Sequence, residues 1–68
     1  MEVPPNELEV GKFYTVVDRL NEDAPPYKGE FLALFKDETN ADMVMVLMDK
    51  NFLNYVLLAN VKFLSIVE

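Results

Sequence analysis

Two apolar runs around a short polar link form the clearest hydropathy pattern in the chain. Glu30 to Asp37 reads Glu-Phe-Leu-Ala-Leu-Phe-Lys-Asp, Glu38 to Ala41 reads Glu-Thr-Asn-Ala, and Asp42 to Asp49 reads Asp-Met-Val-Met-Val-Leu-Met-Asp. Strand-length apolar runs flanking a short link predict a β-hairpin. Successive side chains of a strand point to opposite faces. Phe31, Ala33 and Phe35 therefore share one face, with Leu32 and Leu34 on the other. On the second strand Met43, Met45 and Leu47 oppose Val44, Val46 and Met48. Neither strand has a polar face, so both sides of the hairpin expect cover.

Two registers compete. A four-residue link, Glu38 to Ala41, sets Asp37 opposite Asp42 and Glu30 opposite Asp49, and like charges directly opposite are destabilising by up to about 1 kcal/mol. A five-residue link, Asp37 to Ala41, sets Lys36 opposite Asp42 instead. It leaves only apolar pairs from Phe35/Met43 to Phe31/Leu47. The second register is preferred, and Asn40 tolerates the left-handed backbone such links use.

Elsewhere the pattern is weaker. Residues 1–9 carry Pro4 and Pro5 and predict an extended N-terminal arm, because proline lacks the N–H that a ladder needs. Residues 10–68 then form a single small domain. Val10-Gly11-Lys12 predicts a turn into a strand from Lys12 to Leu20, with Phe13 and Val17 as its core positions. Asn21 to Gly29, with Pro25, Pro26 and Gly29, predicts a long loop of the kind that carries function. Lys50 to Asn54 reads as a second link with room for one helical turn. Tyr55 to Leu58 and Val61 to Val67 read as two more strands, the last with Val61, Phe63 and Val67 on one face and Leu64 and Ile66 on the other. A helix from Asn51 to Leu64 competes, since Leu53, Val56, Leu57, Asn60 and Leu64 are also helically spaced. The fold expected is all-β, a small five-stranded and partly open barrel.

Two segments carry a resemblance. Asn6-Glu7-Leu8-Glu9-Val10-Gly11 looks like the glutamate-leucine segment before the second strand of SH3 domains. Leu57-Leu58-Ala59-Asn60-Val61-Lys62-Phe63-Leu64 is similar to their last strand, short helical turn and final strand. The resemblance implies an SH3-like barrel. It does not imply binding of proline-rich peptides, because that groove depends on a tryptophan and this chain has none. Fold alone does not give function.

Composition narrows the function classes. A chain of 68 residues buries only about 60% of its unfolded surface and is marginally stable. It has no cysteine or histidine to add a disulfide or a common zinc site, yet 51% of its residues are hydrophobic. That imbalance points to self-association or a lasting protein partner. A net charge of −6 argues against nucleic acid as a partner, because phosphate contacts need a basic surface. Lys12, Arg19, Lys28, Lys36, Lys50 and Lys62 are scattered and form no basic stripe. No apolar run approaches the ~18 residues of a membrane span, and the acidic N-terminus is not a signal peptide. An intracellular location, or one inside an assembled particle, is expected.

Catalysis has few candidates. Neither histidine nor cysteine is present, and Thr15, Thr39 and Ser65 sit in no nucleophile motif. The oxygen-rich segment Asp37 to Asp42 lacks the glycine and distal glutamate of a calcium loop and reads as a turn. No catalytic residue, cofactor or metal is therefore expected. Two binding readings remain. The first is an interaction or assembly module that self-associates, or docks on a larger protein, through an apolar strand face carrying Leu32, Leu34, Met43, Met45 and Leu47. The second is an acidic and aromatic rim of Tyr14, Glu22, Asp23, Tyr27 and Tyr55 that engages a basic protein surface by cation–π and charge terms. In its extreme form this second reading is a nucleic-acid mimic, as small accessory proteins of viruses are.

Overall fold

A computed structural model describes residues 1–48 and 51–66. Asp49, Lys50 and Val67 lie outside the described residues, and with them the Glu30/Asp49 pairing and the Val67 face.

The link after the first apolar run decides the hairpin. The Asp37 carboxylate accepts hydrogen bonds from the backbone N–H of Thr39 (2.8 Å) and Ala41 (2.9 Å) and from the Thr39 hydroxyl (2.7 Å). Asn40 takes a positive φ of 67°, the left-handed conformation that asparagine tolerates. Lys36 then pairs with Asp42, their side chains 2.8 Å apart. This is the five-residue register. It holds through Ala33/Met45 but not to Phe31/Leu47. Leu32 has no partner, and beyond it Phe31 sits opposite Val46 and Glu30 opposite Leu47. One extra residue on one strand is a β-bulge, and it reverses the faces on its two sides. Phe31 therefore joins the core, while Ala33 and Phe35 stay on the side of Met43 and Met45.

Six strands form one antiparallel sheet: β1 (Glu2–Val3), β2 (Phe13–Asp18), β3 (Tyr27–Lys36), β4 (Asp42–Met48), β5 (Phe52–Leu57) and β6 (Val61–Ser65), in the order β1-β6-β2-β3-β4-β5. The all-β expectation is met, with six strands rather than five because the arm contributes β1. That arm is not simply extended: after β1 it makes a 3-10 turn at Pro5–Glu7. β3 begins at Tyr27, inside the expected loop. Gly29 permits this, because a Cβ there would collide with the Val46 side chain. β5 begins at Phe52, inside the expected second link, and the helical turn falls instead at Leu58–Asn60. No helix spans 51–64, because β5 finds a ladder partner in β4 along its whole length.

The turn at Leu58–Asn60 makes the sheet curl. β5 and β6 are four steps apart in the ladder, about 19 Å in a flat sheet at ~4.8 Å per step. A three-residue 3-10 turn joins them, and such a turn advances only about 2 Å per residue. The sheet must bend round to bring its ends together, and the turn packs against β4. The ladder is nevertheless not closed, and β1 and β5 remain its two edges.

The concave side holds the core: Tyr14, Val16, Phe31, Val44, Val46, Val61 and Phe63, with Val3, Leu8, Tyr27, Val56 and Leu58 packed against it. On β2 the core face is the one opposite to that expected. Phe13 is 46% exposed and Val17 half-buried, whereas Tyr14 and Val16 are almost wholly buried. Both alternating sets of β2 are apolar enough to be buried, and pairing decides between them: Tyr14 faces Gly29 and Ser65, and Val16 faces Tyr27 and Phe63. The Tyr14 ring meets Phe63 edge-on at 6.0 Å. Its hydroxyl accepts the Glu9 N–H at 3.0 Å, which removes the penalty for burying it.

Candidate interaction surface

Directly paired residues of an antiparallel ladder point to the same side of the sheet. The register therefore fixes which side chains form the convex outer face. Across β3, β4 and β5 this face carries the row Phe35–Met43–Leu57 and the row Ala33–Met45–Tyr55. A third row, Leu47–Leu53, continues into Glu30 and Phe13. No charge interrupts the rows until Glu30. The Phe35 and Tyr55 rings lie edge to face at 6.1 Å and 87° over the Met43–Met45 strand. Leu53, Tyr55 and Leu57 at the β5 end are 48%, 53% and 40% exposed. An open groove of about 340 Å³ runs from Met43, Tyr55 and Leu57 to the exposed Leu20, with Asp18 and Asn60 also in its lining.

Of the five residues predicted for an apolar face, Met43, Met45 and Leu47 lie together on this surface. Leu34 lies on the opposite side, paired with Val44, and is 46% exposed. Leu32 is the half-buried bulge residue. In their place the surface gains Ala33, Phe35, Leu53, Tyr55 and Leu57. Ala33 and Phe35 are placed on the methionine side by the register at the tip, which pairs Phe35 with Met43 and Ala33 with Met45; the bulge moves only Phe31 to the other side.

The predicted aromatic rim does not assemble. Tyr14 is core, and Tyr27 is half-buried on the same side, where its hydroxyl accepts a hydrogen bond from the Asn54 amide at 3.2 Å. Tyr55 is on the opposite face. Burial of the first two follows from their pairing across Gly29 and Val16. Glu22 and Asp23 are exposed in the link between β2 and β3, and Glu22 borders a shallow depression with Arg19 and Lys62 rather than with a tyrosine.

Charge is interspersed. Arg19 pairs with Glu2 at 2.7 Å, Lys12 with Glu9 at 3.4 Å and Lys36 with Asp42 at 2.8 Å, all in exposed positions. The Asp37 carboxyl is held below its ordinary pKa. The Thr39 hydroxyl is the largest cause, followed by the Ala41 N–H. Those bonds occupy the carboxylate in the turn. Among the described residues, no three acidic, histidine or cysteine side chains gather as a metal site, and no helix is long and apolar enough to cross a membrane. Comparison with known proteins finds no matching family model, no similar curated protein and no similar solved structure.

Proposed function

We propose that this chain is a non-catalytic interaction or assembly module that associates through the convex face of β3, β4 and β5, in the first instance with itself. The observation that carries the reading is the unbroken apolar character of the rows Phe35–Met43–Leu57 and Ala33–Met45–Tyr55 on the side of the sheet away from the core. A monomer seldom leaves such a contiguous patch in water unless it binds something. Methionine suits a surface that must adapt to its partner. Strand, 3-10 turn and strand across Leu57–Leu64, together with the curl that the turn imposes, support an SH3-like architecture in partly open form. The reading as an acidic and aromatic binder of basic surfaces has less support, since its tyrosines lie on opposite faces and its acids lie among cations. The test is Met45→Lys at the centre of the patch. It is expected to weaken association while the chain stays folded; unchanged mass at every concentration would place the docking surface elsewhere.

A further inference from the structure

The two edges of the sheet are built differently. β1 is two residues long, is followed by Pro4, and has Glu2 tied to Arg19. Shortness, proline and charge are the usual means of protecting an edge. β5 has none of them. Its six residues, Phe-Leu-Asn-Tyr-Val-Leu, contain no charge, proline or glycine. It is hydrogen-bonded to β4 on one side, and on the other, alternate backbone N–H and C=O groups have no ladder partner among the described residues. Phe52 at its start is 69% exposed.

We infer that β5 pairs antiparallel with β5 of a second copy of this chain, joining the two sheets into one. The inference rests on the proposed role of this half of the molecule in association, and adds to the contact through its face a second contact through its edge. A two-fold axis normal to the sheet sets an edge strand against itself in antiparallel fashion, and such self-complementary contacts are the commonest in homodimers. The axis keeps outward side chains outward, so Leu53, Tyr55 and Leu57 can pair only with one another. With Tyr55 on the axis, Tyr55 faces its copy, Leu53 faces Leu57 and Asn54 faces Val56. The apolar rows of the two copies then run on without a break. A second copy also carries a net charge of −6, and the uncharged β5 edge is where the two approach with least repulsion. One six-residue edge is small beside the ~1,200–2,000 Å² of a stable interface, so the dimer is weak and depends on concentration.

The chain has no cysteine, so Tyr55→Cys introduces a single thiol at the axis, within disulfide reach of its copy. Oxidation of the full-length variant is expected to give a covalent dimer, and to do so also when Met45→Lys is added, because Met45 lies one strand away from the seam. Val10→Cys, exposed and before β2 rather than beside β5, is expected to stay monomeric. In the unmodified chain, roughly tenfold slower hydrogen exchange at alternate β5 amides is expected on raising the concentration. An associating wild-type chain whose β5 amides gain no protection, and whose Tyr55→Cys variant does not cross-link, would overturn the edge pairing and leave the face reading standing. Equal cross-linking of Tyr55→Cys and Val10→Cys would overturn it too. A chain monomeric at every concentration would overturn both the pairing and self-association.

Discussion

The two halves of the convex face belong to one sheet, yet they present opposite chemistry. Across β1, β6, β2 and the start of β3, each apolar side chain has a polar or charged neighbour: Leu64 lies between Glu2 and Thr15, Val17 pairs with Lys62, and the Lys28 ammonium sits 5.1 Å from the centre of the Phe13 ring. Across the rest of β3, β4 and β5, apolar residues neighbour only one another. Glu30, between Phe13 and Leu47, marks the boundary. The first half is an ordinary solvated sheet surface, with hydrophobic residues broken up by charge. The second is patterned as though it were covered. Since both halves share one core, packing demands inside the sheet do not explain the difference.

The largest expected contrast comes from one residue type in a buried and an exposed position. Phe63→Ala removes a buried ring that touches Tyr14, and should cost about 3–5 kcal/mol. A domain of this length has a total stability of only about 3–10 kcal/mol, so the variant is expected to be largely unfolded. Phe52→Ala, on the exposed edge, should change stability by less than about 0.5 kcal/mol. Urea unfolding checks both, and similar losses would mean that the start of β5 is packed like the core. Next in size is Gly29→Ala, which drives a Cβ into Val46 and should cost about 1–3 kcal/mol. An unchanged urea midpoint would show that β2, β3 and β4 do not approach as closely as described.

Charge substitutions sharpen the comparison on the outer face itself. Met45→Lys should weaken association tenfold or more, about 1.4 kcal/mol. Leu64→Lys, placed among Glu2 and Thr15 in the other half, should leave it unchanged. Sedimentation equilibrium distinguishes them, and equal effects would dissolve the distinction between the halves.

The smallest expected effect is that of pH on the hairpin turn. The Asp37 pKa is lowered in the folded chain, chiefly by the Thr39 hydroxyl. Its contribution to stability is therefore complete above the ordinary aspartate value and is lost as pH falls through the depressed one. Asp37→Asn should flatten that acid limb of the stability curve, and an unaltered acid limb would show that the turn bonds do not couple to folding.

How much of this was legible in the sequence depends on where one face differed from the other. The hairpin was legible at its tip, because a wrong register sets Asp37 against Asp42. Nothing similar marks Leu32: it stands in a run where every neighbour is apolar, and a shift of parity leaves no visible defect. The same cause hid the core side of β2, where Phe13 and Val17 are as hydrophobic as Tyr14 and Val16. On β4 both sets were apolar as well, and the structure puts the compact, stiff valines inside and the flexible methionines outside. The start of β5 was concealed by Asn54, which is half-buried with its amide bonded to Tyr27 and looks like a link residue only when that partner is unseen. The candidate surface was thus partly legible: Met43, Met45 and Leu47 follow from alternation and Ala33 and Phe35 from the register at the tip, whereas Leu53 and Leu57 follow only from the pairing of β5 with β4.

The most direct test of the association surface is the solution mass of the unmodified chain, measured by light scattering after size-exclusion across a concentration series. The account predicts a mass that rises above the 7.8 kDa of one chain as concentration increases. A mass fixed at 7.8 kDa throughout would contradict it.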